Sequence, residues 1–187
     1  MGMIDMMDED KLLQAARKFD KHALGTIFDL HSGSIYKYAL RLCRDPLEAD
    51  NVVGDVFALL LEQLAEGKGP RTNLKSYLYQ ITYHVIVDRS RRQRLIAPLE
   101  QADEIHVQHT FSVTSQAEDD DIMGAVIEAM FTQLTPDQRD VLILRFVEGF
   151  NVHETAEIVG RNVNNVKVIQ NRGLAKLRQV LNQKVDS

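Results

Sequence analysis

Apolar residues recur at helical spacing along most of the chain, with one long interruption in the middle. After Asp45, the positions Val52, Val53, Val56, Phe57, Leu60, Leu61 and Leu64 form a wide stripe that ends at Gly67. That pattern predicts an amphipathic helix closed by a glycine. Lys68-Gly69-Pro70 reads as a loop, and a further helix is predicted from about Asn73 to Arg94, its inner face formed by Leu74, Leu78, Ile81 and Val85. From about Ile96 to Asp121 the period fails, around Pro98 and the run Glu118-Asp119-Asp120-Asp121, and a flexible acidic linker is predicted. Helical spacing returns over Ile122–Leu134, Pro136–Gly149, Asn151–Val159 and Asn162–Gln183. No strand pattern of useful length and no internal repeat appear.

Capping residues sharpen the helix starts. Asp45-Pro46-Leu47-Glu48 and Thr135-Pro136-Asp137-Gln138 each place a side-chain oxygen at the N-cap, proline at the first helical position and Glu or Gln at the third. Asn151 and Glu154 repeat the arrangement without proline. Such boxes satisfy N–H groups that the first helical turn leaves without partners.

The densest constellation lies between Glu154 and Val166. Gly160 ends one helix at a sharp turn, Ala156 is small enough for a close crossing, and Val166 can pack the next helix back on the first. These offsets predict a helix-turn-helix. At about 100° per residue, Val163, Val166, Gly173, Leu174, Leu177 and Leu181 fall on one face of the last helix. Asn164, Asn165, Lys167, Val168, Asn171 and Arg172 fall on the other, with Arg161, Asn162 and Lys176 beside them. Asn suits adenine edges, Lys and Arg suit guanines or phosphates, and an exposed valine suits a thymine methyl.

A net charge of −5 over 187 residues argues against nucleic acid until its distribution is considered. Arg71, Lys75, Arg89, Arg91, Arg92 and Arg94 face Asp88 alone within residues 71–94. Residues 161–184 hold Arg161, Lys167, Arg172, Lys176, Arg178 and Lys184 and no acid. Residues 97–128 hold only acids among their charges. Two basic segments separated by an acidic one predict two phosphate-facing surfaces. On the first, Tyr79 and Tyr83 are expected opposite the apolar stripe, with Ser76, Ser90 and Arg94 on that face and Tyr77 and His84 flanking it. Rings beside a positive stripe suit unpaired bases stacking while phosphates follow Arg89, Arg91 and Arg92; a helix–helix core contact is the competing reading of the tyrosines.

Other chemistry is sparse. Cys43 is the one cysteine and reads as a buried structural thiol; His106 and His109 read as solvated linker residues, and no metal site, cofactor site or catalytic constellation is predicted. No apolar run approaches a membrane span, and the acidic start at Asp8-Glu9-Asp10 is unlike a signal peptide, so a soluble, cytoplasmic protein that is not an enzyme is expected.

These residues resemble the sigma factors of bacterial RNA polymerase, specifically the short extracytoplasmic-function group. Asp45 to Phe57 looks like that family's polymerase-docking helix. Leu74-Lys75-Ser76-Tyr77-Leu78-Tyr79-Gln80-Ile81 with Asp88-Arg89-Ser90-Arg91-Arg92 looks like its element for the −10 promoter element, and Leu134 to Gly149 is similar to the helix opening its −35 reader. Val166-Lys167 and Leu174-Ala175-Lys176-Leu177-Arg178 sit where the family's recognition helix has such residues. The resemblance implies an all-α fold of two small helical domains. Residues 1–95 would be region 2-like, 96–121 the acidic linker, threading towards the polymerase's RNA-exit path, and 122–187 region 4-like. It implies docking on RNA polymerase core through Asp45, Glu48, Asp50, Asn51, Asp55, Val56 and Phe57. Single-stranded −10 DNA would meet Lys75, Tyr79, Tyr83, His84, Arg89, Arg91, Arg92 and Arg94. Promoter duplex at −35 would meet Arg161, Asn162, Asn164, Asn165, Lys167, Val168, Asn171, Arg172 and Lys176. An inhibitory anti-sigma partner is implied as well. The chain departs from the family at Asn51 and Gly54, usually an acid and a glutamine, at Tyr83-His84, usually Arg-Asn, and at Asn164-Asn165 and Val168. A helix-turn-helix regulator working without core polymerase, and an interaction protein descended from sigma factors, are the alternatives.

Overall fold

The computed structural model describes residues 5–96, 126 and 128–185, which fold as helices with no strand among them. The chain divides into two compact units, with the division between residues 109 and 110. The linker reading, His106 and His109 lie outside the described residues.

The first unit contains α1 (Asp5–Ala16), α2 (Lys21–Cys43), α3 (Pro46–Ala65) and α4 (Leu74–Ile96). Asp20 caps α2 by accepting from the Ala23 N–H, and Asp45 caps α3 by accepting from the Glu48 N–H at 3.0 Å. The Glu48 side chain does not return to complete the expected box; it reaches Arg89 of α4 instead. The core joins Ile27, Ile35, Tyr38 and Ala39 of α2 with Val52, Val56, Leu60 and Leu64 of α3 and with Leu74, Leu78 and Tyr79 of α4. Leu61, expected in the α3 stripe, is 41% exposed. Cys43 is half-buried rather than buried.

Among the described residues of the second unit, 126 and 128–133 are helical, the latter here called α5. Then follow α6 (Pro136–Leu142), continuing as a π-helical turn over Ile143–Val147, α7 (Val152–Ile158) and α8 (Val163–Val185). Thr135 and Gln138 form a complete capping box at α6. Gly149, at φ +77°, follows the π-helical turn, a conformation that costs glycine little. Val141, Leu142, Ile143 and Leu144 form the centre of this core, against Ile158, Val166 and Leu177.

Candidate nucleic-acid interface

The second unit builds its outer face from a tightly specified turn. Asn151 Oδ1 accepts from the His153 and Glu154 N–H groups at 2.8 and 3.0 Å, and Glu154 Oε2 accepts from the Asn151 N–H at 2.8 Å. α7 therefore starts at a defined residue. It ends with the Arg161 N–H donating to the Ala156 carbonyl at 2.9 Å, which requires Gly160 at φ +63°. Asn162 then accepts from the Asn165 N–H at 2.8 Å and opens α8. Ala156 and Val166 are both buried where α7 and α8 cross.

With Val166 inward, Asn164, Asn165, Lys167, Val168, Asn171, Arg172 and Lys176 are all exposed. Val168 is 47% exposed. Arg161 and Asn162 are exposed too, but Arg161 is held by Asp137 at 2.7 Å and Asn162 serves as the cap. Of the expected inner face, Val166, Gly173 and Leu177 are buried, Val163 is half-buried, and the side chain of Leu181 lies outside the described residues. Leu174 is exposed, while Gly173 is buried so closely against α6 that a Cβ there would meet Leu142 Cδ1 at 3.0 Å. The close crossing turns the Gly173 edge inward and leaves Leu174 on the flank. Arg145, which sequence reasoning left without a role of its own, ties this architecture together. Its Nε donates to Gln170 Oε1 of α8 at 2.9 Å and its Nη1 donates to the Phe150 carbonyl.

In the first unit, Lys75, His84, Arg91 and Arg92 are exposed along α4; the side chain of Arg94 lies outside the described residues. The placement of the tyrosines is corrected. Tyr79 and Tyr83 are 2% and 8% exposed, and Tyr79 lies against Tyr38 of α2 with ring centroids 4.9 Å apart. α4 packs on both α2 and α3, so its buried arc is wider than one stripe and takes in Ser76, Tyr79, Thr82 and Tyr83, while Ile81 and Val85 are only half-buried. The core reading of these rings is the one the burial supports, and they offer bases no open face.

Arg89 also sits differently from a free phosphate ligand. Its Nη1 and Nη2 donate to Glu48 Oε1 and Asp55 Oδ2 of α3, each at 2.6 Å. Burial works against the guanidinium charge, but the two carboxylates more than offset it, and its pKa is raised. Of the expected docking residues, Asp50 and Asn51 are exposed, and Asp45 is half-buried as the cap. Phe57 is half-buried against Phe28 of α2, ring centroids 4.8 Å apart. Val56 is fully buried, a correction to its docking assignment, because it points into the α2–α3 contact and has no surface to offer. No group of three or more potential metal ligands occurs among the described residues, and none of their helices is long and apolar enough to cross a membrane.

A capped, glycine-turned pair of helices with an exposed Asn/Lys/Arg face defines a helix-turn-helix protein. Known families agree. Residues 27–96 match the family model "Sigma-70 region 2" and residues 130–179 match "Sigma-70, region 4". The ECF RNA polymerase sigma factor SigX of Bacillus subtilis is 26% identical over 159 residues, covering 82% of this chain and 80% of that protein. The ECF RNA polymerase sigma factor SigD of Mycobacterium tuberculosis is 28% identical over 182 residues, covering 90% and 82%. In fold, the chain is similar to CnrH, solved in complex with the cytosolic domain of CnrY, with a TM-score of 0.68, 19% identity and 93% and 97% of the two chains covered. It is also similar to RpoE of Bartonella quintana, solved with the anti-sigma factor NepR, with a TM-score of 0.66, 21% identity and coverage of 87% and 98%. The chain belongs to the sigma-70 family, with regions 2 and 4 in its two helical units.

Proposed function

We propose that this chain is an alternative sigma factor that directs RNA polymerase core to one class of promoters and is restrained by an anti-sigma partner. The observation that carries the reading is the pairing, on one chain, of a basic helix in a region 2 unit with an exposed Asn/Lys/Arg face in a region 4 unit. Asn164, Asn165, Lys167, Val168, Asn171, Arg172 and Lys176 read the upstream duplex element, with Arg161 and Asn162 setting the start of α8. Lys75, His84, Arg91, Arg92 and Arg94 hold the downstream strand.

Asp50, Asn51 and Phe57, with Phe28 beside it, dock on the polymerase, and Asp45, Glu48 and Asp55 shape that surface through the α3 cap and the Arg89 bridge. Residues 96–121 form the acidic linker between 1–95 and 122–187. Phe28 and Leu61 are 45% and 41% exposed, and Leu61 lies one turn from Phe57 on α3, so this apolar ridge is a surface that a protein partner would cover. The protein works in the cytoplasm and performs no catalysis of its own. Transcription by core polymerase on a promoter library tests the reading. Specific initiation that depends on added protein is expected; initiation indistinguishable from core alone would overturn it, leaving a regulator without core or an interaction protein.

A further inference from the structure

α1 and the turn that follows it lie before residue 27, where the region 2 match begins, yet their side chains grip both ends of the α3–α4 connection. Arg17, just past the end of α1, donates from Nη1 to the carbonyls of Gly69 and Pro70 at 2.8 and 3.0 Å. Its Nη2 donates to the Gly67 carbonyl at 3.2 Å. Glu9, eight residues earlier and so about 12 Å away along the helix axis, accepts from the Leu74 N–H at 3.0 Å.

The charges match the two helix ends they meet. A guanidinium faces carbonyls just beyond the C-terminus of α3, and a carboxylate faces the N-terminus of α4, each the favourable sign for the helix dipole. Leu13 and Ala16 are buried, so the grip is anchored in the core. The connection cannot easily move within it. Gly69 and Pro70 are buried, and a Cβ at Gly69 would meet Leu64 Cδ2 at 2.6 Å. Asn73, at φ +53°, adds a local cap by accepting from the Ser76 N–H. Arg71, Thr72 and Lys75 project to solvent from this clamped segment.

We propose that α1 is a positioning element for the promoter strand, with Arg17 and Glu9 holding the α3–α4 connection so that Arg71 and Lys75 present a fixed surface to the melted DNA. The proposal rests on the sigma reading above. Arg17 and Glu9 touch no DNA in this account; they act through the backbone of 67–74.

The test uses the full chain with core polymerase on a responsive promoter, reading core affinity, protection of the upstream element, strand opening by permanganate, and base preference across the downstream element. Arg17→Gln and Glu9→Ala should keep core affinity and upstream protection within about twofold, while opening slows about tenfold and base preference flattens. Glu9→Gln keeps the acceptor for Leu74 and should return opening towards wild type. A merely structural role would instead weaken core binding, upstream protection and opening together, with base preference retained. That pattern, or wild-type opening in Arg17→Gln, would overturn the proposal.

Hydrogen exchange of the free protein gives an arm independent of transcription. Amides of 67–76 should exchange faster in Arg17→Gln while those in the middle of α2 stay unchanged, and equal protection at 67–76 would refute the clamp. If wild type initiates at no promoter, the sigma reading fails, and the exchange arm still decides whether the clamp exists.

Discussion

Arg89 carries its charge between two carboxylates that precede it by 41 and 34 residues. Glu48 and Asp55 are not equivalent partners, because their side chains are 29% and 53% exposed. Solvent screens the more open pair, so Arg89 should couple more strongly to Glu48. Double-mutant cycles read by urea unfolding should give about 1 kcal/mol for Arg89–Glu48 and a few tenths for Arg89–Asp55; the reverse order would contradict the placement. Asp140 offers a titration. Burial pushes its carboxyl above the usual range, and Arg139, with Nε and Nη2 at 2.8 and 2.7 Å, pulls the other way without cancelling it. A raised folded pKa means that the folded state holds this proton more tightly than the unfolded chain. Its contribution is therefore full below about pH 4 and is lost as pH rises through the folded value. Asp140→Asn removes this titration, so the melting temperature of wild type relative to the variant should fall between about pH 4 and neutrality. Calorimetry across that range checks it, and a flat or rising difference would contradict it.

At the level of single helices, glycines give the clearest expectations. Gly54 lies inside α3, exposed, and a Cβ there would meet nothing within 4 Å. Gly54→Ala should stabilise the first unit by about 0.5–1 kcal/mol, measured by denaturant unfolding. Gly160→Ala should cost the second unit about 1 kcal/mol, because its φ of +63° is a left-handed conformation that glycine adopts more readily than alanine. The helix-turn-helix was legible in the sequence because its determinants are local: a cap and its partner three residues on, a glycine, a small residue at the crossing. α4 was less legible. One apolar stripe accounts for one neighbour, whereas α4 has two, and the second contact draws Tyr79 and Tyr83 inward. Val56 lies in the apolar stripe of α3, and its burial follows that local period rather than the docking role the resemblance implies. Contacts such as Arg17 to Gly67, Gly69 and Pro70 span about fifty residues, and no spacing rule connects them.

Over the whole molecule, net acidity and DNA binding are compatible because the charges are segregated. The basic residues concentrate in 71–94 and 161–184, and the acidic run lies between them. Binding through such faces depends on salt through the counterions that phosphate contacts release. For polymerase carrying this protein on the upstream duplex, Lys167→Ala should reduce the salt slope of log affinity by about 0.9. Asn165→Ala should leave that slope unchanged and relax base preference instead. The central claim is that these faces recognise a promoter only when the chain is bound to core polymerase, and footprinting one promoter duplex with protein alone, core alone and both together tests it most directly. No specific protection is expected from either component alone, and from the two together protection of an upstream element with opening of a downstream one; tight, specific protection of the duplex by the protein without polymerase would contradict it.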